Sequence, residues 1–152
     1  SLYRRYPNVC ILRTFSKAYG LAGLRVGYAV AAPAIAEGLR RTALPFSVSA
    51  LAQKAAIASL DAGEEMESRV AAVKQERARM AAQLEAQGWK LQPSQGNFLW
   101  IRADDNLRTK LVDAFERADI LVRAYQGDGV RITVADPASN DRVLRLLAAH
   151  AA

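Results

Sequence analysis

A chain of 152 residues with 51% hydrophobic and 24% charged residues has the balance of a folded globular protein with a substantial core, which excludes a disordered chain. Its net charge is +6, but the 21 basic residues are interspersed with 15 acidic ones and form no block with interleaved aromatics. That pattern argues against a nucleic-acid partner and fits anionic small molecules.

The single cysteine, Cys10, excludes an internal disulfide, sits in an apolar run and is expected in the core. No apolar run is long enough to span a membrane, no leader pattern opens the chain, and a cytoplasmic location is the default expectation. The opening "SLYRRYPNVCILRTF" lacks an initiator Met and reads like the later part of a longer protein.

In chain order, "NVCILRTFS" (8–16) reads as a strand. Its apolar run without alternation predicts burial on both faces, as in a parallel sheet. "LRVGYAVA" (24–31) is a second strand that Pro33 ends, with Gly27 permitting close backbone approach. "PAIAEGLRRTAL" (33–44) predicts a short helix broken by Pro45. "SVSALAQKAAIASLDAG" (47–63) predicts another, with a Ser N-cap and a Gly stop.

The segment 64–88 carries the strongest helical pattern. Met66, Val70, Val73, Met80 and Leu84 share a seam, acidic residues lead the first turn, Glu65 and Arg69 pair, and Gly88 ends it. "WKLQP" and "NFLWIRA" (97–103) read as short strands. Residues 105–119 form a helix with Leu107, Leu111, Phe115 and Ala118 on one face. "ILVRAY" (120–125) and "GVRITVA" (129–135) are strands around a Gly127–Gly129 turn, and 137–151 is a closing helix with Pro137 in its first turn. The tail is thus an α+β layer. Two pieces are expected, 1–46 from an α/β sheet with its link and 47–152 as a smaller α+β unit.

The stretch "RTFSKAYGLAGLRVGYAVA" (13–31) sets Lys17 and Arg25 in a run that is otherwise small and apolar. A partly desolvated lysine is the better nucleophile and forms Schiff bases with carbonyl compounds. Thr14 and Ser16 alternate around Phe15, so both hydroxyls can face one side of a strand end. Gly20 and Gly23 let the chain fold back and bring Arg25 toward them. Two hydroxyls and a guanidinium suit a phosphate, and a reactive lysine beside a phosphate site suits pyridoxal 5'-phosphate.

"SKAYGLAGLRVGY" resembles the cofactor-lysine motif of fold-type I, class I/II aminotransferases, in the histidinol-phosphate aminotransferase branch and closest to its aromatic members. The resemblance implies an α/β fold: the end of the large-domain sheet plus the α+β small domain. It makes Lys17 the catalytic, cofactor-bearing lysine and gives Thr14, Ser16 and Arg25 to the cofactor phosphate. "QPSQGNFLWI" (92–101) and "ILVRAYQGDGVRITVADPASNDRVLRLL" (120–147) resemble the small domain of that family. There Arg131 matches the clamp for the substrate carboxylate, and Arg123 the arginine that meets a substrate phosphate.

The resemblance further implies amino-acid and 2-oxo-acid substrates, a homodimer and no metal. The donor reads as an aromatic amino acid, with histidinol phosphate as the alternative and a threonine-phosphate decarboxylase-like activity as a further one. The groups expected to stack on and pair with the pyridine ring find no counterpart in these residues, so the chain alone is expected to be an incomplete catalyst. "TVADP" stands where the family more often has "TVGTP".

Overall fold

The computed structural model describes residues 2–151; Ser1 and Ala152, the outer ends of the two expected pieces, lie outside the described residues. Two compact units are present, residues 1–69 and 70–152.

The first unit begins with a short helix, α1 (Leu2–Arg5), that the sequence pattern does not announce. β1 (Ile11–Thr14) and β2 (Gly27–Val30) follow, paired antiparallel with Ile11 opposite Val30 and Thr14 opposite Gly27. Here the expectation of a parallel strand buried on both faces fails. Leu12, Arg13 and Thr14 are exposed, and β1 has one strand partner among the described residues. An apolar run reports what a strand is suited to pack against; it does not report what is present to pack there. Cys10 is likewise half-buried rather than in the core.

Gly27 behaves as its place in the strand suggests, because a Cβ there would stand 2.7 Å from the Arg13 carbonyl oxygen. α2 (Pro33–Thr42) starts with proline in its first turn and stops before Pro45. α3 (Ala50–Asp61) is capped by Ser49, whose hydroxyl accepts from Ala52 N. Its Ala52 and Ala56 are buried with Phe15 and Val26, so α3 backs the turn that carries Lys17.

α4 (Gly63–Ala86) realises the long amphipathic pattern, with Met80 and Leu84 fully buried and the Glu65–Arg69 ion pair formed. Gly63 opens this helix instead of merely closing α3. Gly88, at φ +96, ends it in a Schellman motif: Trp89 N donates to Leu84 O and Gly88 N to Glu85 O, both at 3.0 Å.

The second unit is built on a three-stranded antiparallel sheet of β3 (Phe98–Arg102), β4 (Arg123–Tyr125) and β5 (Gly129–Thr133), in the order β3-β5-β4. The strand expected at "WKLQP" reduces to one bridge between Leu91 and Ile101, and residues 120–122 lead into β4 without joining it. α5 (Asp105–Arg117) is capped by the Asp104 carboxylate on Leu107 N, and α6 (Pro137–Ala148) by Asp136 on Ser139 N.

Leu99, Ile101, Val130 and Ile132 alternate inward. They meet Met80 and Leu84 of α4, Leu111 and Phe115 of α5, and Val143, Leu144 and Leu147 of α6. Asn140 is the buried polar side chain of this core, 1% exposed. It accepts from Ala135 N and donates to Ala135 O and the Glu76 carboxylate, each at 2.9 Å, and so ties the β5–α6 corner to α4.

Candidate active site

The end of the β1–β2 hairpin holds the first group of candidate residues. Phe15 N donates to Val26 O at 3.2 Å, which carries the β1–β2 register one pair past Thr14 and Gly27; Ser16 and Arg25 adjoin that pair on the two segments. Phe15 is buried, 4% exposed, while Thr14 and Ser16 on either side stay accessible, as the alternation required. Thr14 Oγ1 accepts from Ser16 N at 3.0 Å and so fixes the two hydroxyl-bearing residues relative to each other.

Lys17 begins the loop that follows. Gly20 N donates to Lys17 O and Leu21 N to Phe15 O, each at 2.9 Å, so the loop closes on its own backbone. Gly20 takes φ +71, as the fold-back demanded, but Gly23 does not need a positive φ. That conformation falls on Arg25 itself, at φ 53 after a 3-10 turn over Ala22–Leu24. The Arg25 guanidinium donates to Ala22 O at 2.5 Å.

Lys17 is exposed, so the desolvation expected of it is not found among the described residues. Its ammonium has no hydrogen bond or ion pair there either. The donor set still fits pyridoxal phosphate: an unengaged primary amine for an aldehyde, and hydroxyls with a guanidinium for a phosphate. No group of three metal-ligating side chains occurs among the described residues.

The second group lies on the sheet face that points away from the core. Arg131, on the central strand, has Trp100 of β3 on one side and Arg123 of β4 on the other. Like charges directly opposite across a sheet repel, and neither arginine has an acidic partner among the described residues. The Arg131 guanidinium sits over the Phe98 ring, 5.4 Å from its centroid, and its Nε is buried without a hydrogen-bond partner. A buried unsatisfied donor on a cation is costly, and a planar carboxylate relieves it.

The β4–β5 turn that joins the two arginines is held from α5. The Asp105 carboxylate accepts from Gly127 N and from Arg108 Nε, both at 2.9 Å. The Gly127 amide, and then Arg108, hold that carboxyl below the usual carboxylate range.

Sequence reasoning named Arg123 and Arg131 but did not pair them, and it missed Phe98, Trp100 and the Asp105 anchor. The alternation of 98, 100 and 102 was available as a signal. The Arg123–Arg131 register was not, because it depends on the geometry of the turn.

Solved structures of the same fold define the class. The histidinol-phosphate aminotransferase of Clostridium acetobutylicum superposes with a TM-score of 0.87 at 25% identity, covering 97% of this chain and 47% of that one. The histidinol-phosphate aminotransferase of Sinorhizobium meliloti, solved with pyridoxal-5'-phosphate, gives 0.81 at 29%, covering 94% of this chain and 41% of that one. The architecture is therefore part of the fold-type I transferase fold.

The model of the aminotransferase class I and II family matches residues 1–147, and the chain belongs to that family. An aromatic amino acid aminotransferase of Streptomyces coelicolor is 52% identical over 144 residues, 95% of this chain and 40% of its own length. One from Mycobacterium tuberculosis is 50% identical over 144 residues, with the same two shares. The chain thus spans about 40% of the length of these curated relatives.

Proposed function

We propose that this chain is the cofactor-lysine and small-domain part of a pyridoxal-phosphate-dependent aminotransferase. In this reading it moves an amino group from an aromatic amino acid to a 2-oxo acid such as 2-oxoglutarate. The observation that carries it is the hairpin end where the unengaged Lys17 amine follows Thr14 and Ser16, with Arg25 adjoining Val26, whose carbonyl accepts from Phe15 N. The aromatic donor is supported by relatives that are about half identical and bear that name.

Lys17 would hold the cofactor aldehyde, and Thr14, Ser16 and Arg25 would hold its phosphate. The bound cofactor supplies an electron sink that acidifies the substrate Cα–H. Released when the substrate amine takes its place on the aldehyde, Lys17 Nζ would take that proton and return it on the other side of the transfer, as base and then as acid. Arg131 would hold the substrate carboxylate through two parallel N–H donors.

A second reading, histidinol phosphate as donor, draws on the unpaired Arg123 beside Arg131, which offers a second anion-binding group. The wider proposal keeps residues 1–46 as the cofactor-binding piece and 47–152 as the small domain. It also includes a homodimeric, cytoplasmic enzyme.

The test is absorbance. Pyridoxal phosphate added to the protein should give a visible band that borohydride bleaches, with the reduced adduct found by mass spectrometry on Lys17. Lys17→Ala should lose the band and the adduct and keep the circular dichroism of the parent. In the full-length enzyme, turnover by Lys17→Ala within about tenfold of the parent, a barrier change of only about 1.4 kcal/mol, would overturn the role of Lys17. Phenylalanine and histidinol phosphate compared as donors for the full-length enzyme separate the two readings.

A further inference from the structure

The face of the second unit's sheet that carries Arg131 also carries two aromatic rings in contact. Trp100, Arg131 and Arg123 form one cross-strand row; Arg102, Gly129 and Tyr125 form the next. Gly129 leaves a gap in the middle of its row, and the Trp100 ring leans over it. A Cβ at Gly129 would stand 3.1 Å from Trp100 Cζ2. The Trp100 ring meets that of Tyr125 with centroids 5.5 Å apart and planes tilted by 53°.

This pair is not built as core filler. Buried tryptophan and tyrosine normally find a partner for their N–H or O–H. Trp89, in the core, does so by donating to Leu147 O at 3.3 Å. Trp100 is only half-buried, Tyr125 is 39% exposed, and neither polar tip has a hydrogen-bond partner among the described residues. The surface beside them is cationic, with the buried and unpartnered Arg131 Nε next to Trp100 in the row. Exposed aromatic edges against an unpaired guanidinium match a ligand with a ring at one end and a carboxylate at the other.

We propose that Trp100 and Tyr125 form the subsite that receives the aromatic ring of a carboxylate ligand held by Arg131. The inference rests on the reading of Arg131 as the carboxylate clamp. It adds the residues that distinguish aromatic from aliphatic acids. Ring-on-ring contact is specific in geometry, whereas a branched alkyl chain of similar bulk gains only buried area.

The experiment titrates the intact protein with phenylpyruvate and with 4-methyl-2-oxopentanoate, followed by NMR. The wild type should prefer phenylpyruvate. Trp100→Leu should weaken phenylpyruvate about five- to tenfold and leave the aliphatic acid within about twofold, with Trp100→Phe restoring most of the difference. Tyr125→Leu, at an exposed position that the fold does not need, should show the same selectivity to a smaller degree. Arg131→Met should weaken both acids alike. Equal weakening of both acids by Trp100→Leu and Tyr125→Leu, no weakening by either, or a wild type that shows no preference for phenylpyruvate would overturn the subsite. Retained binding of both acids by Arg131→Met, with the Trp100 effect intact, would instead overturn the clamp and leave the ring subsite standing.

Discussion

The two units differ in how much of their apolar surface they cover for themselves. The second unit buries thirteen hydrophobic side chains in one cluster, including Phe115, Leu111 and Met80, from three helices and a sheet. The first buries four, two of them alanines. Ten of the twelve exposed large hydrophobic residues fall in the first unit, among them Leu12, Leu44 and Phe46. Its sheet is a two-stranded hairpin, an element that rarely stands alone in water. The unit that holds Lys17, which we assign to the cofactor, therefore has less internal support, while the unit that holds Arg131, which we assign to the carboxylate, carries its own core.

That contrast can be broken by substitution. Phe115→Ala should remove about 3–5 kcal/mol from the unfolding free energy of the second unit, because it empties the centre of its cluster. Leu12→Ser, at a residue 76% exposed, should change stability by less than about 0.5 kcal/mol. Denaturant unfolding checks both, and comparable losses would mean that the first unit is packed more tightly than its exposure shows.

Gly129→Ala should follow at about 2–3 kcal/mol, since Gly129 sits at φ +155 and a Cβ would fall 2.2 Å from the Ile101 carbonyl oxygen. The same change should shift the Trp100 NMR signals, as the ring loses its seat.

The Asp105 anchor should give a smaller effect than Phe115 or Gly129, and one that depends on pH. The folded carboxyl titrates below its unfolded value, so its contribution is full at neutral pH and is lost as pH falls below about 4. Asp105→Asn should flatten that part of the acid-unfolding curve and leave stability above about pH 5 nearly independent of pH. An acid limb identical to that of the parent would remove Asp105 from the account of the hairpin turn.

How much of this could be read from the sequence depends on the range of the interaction. α3 to α6 were legible in their seams, caps and stops, which are local: Ser49 at α3, Gly88 at α4 and Pro137 at α6 all act within one turn of their own position. The proposed cofactor group could be assembled from sequence because Thr14, Ser16, Lys17 and Arg25 fall within twelve residues of one another. β1 was misjudged because its pattern describes a strand suited to two covered faces, and cover is not a local property. Lys17 was expected to be desolvated for the same reason. Asn140 reads as a surface residue until its partners appear, one of them Glu76 on a helix 64 positions earlier in the chain. The Trp100–Arg131–Arg123 row needed two strand registers at once.

Arg25 shows a cost of another kind. A non-glycine residue held in the left-handed region carries about 1–2 kcal/mol of backbone strain, and Arg25 sits there at φ 53. Arg25→Gly should therefore make the hairpin end more stable, by about 0.5–1 kcal/mol, while removing the guanidinium we assign to the cofactor phosphate. Thermal unfolding of the cofactor-free protein, set beside pyridoxal phosphate titration, should move in opposite directions. A sequence chosen for durability alone would drift to glycine at this position, and one chosen for holding an anion would not.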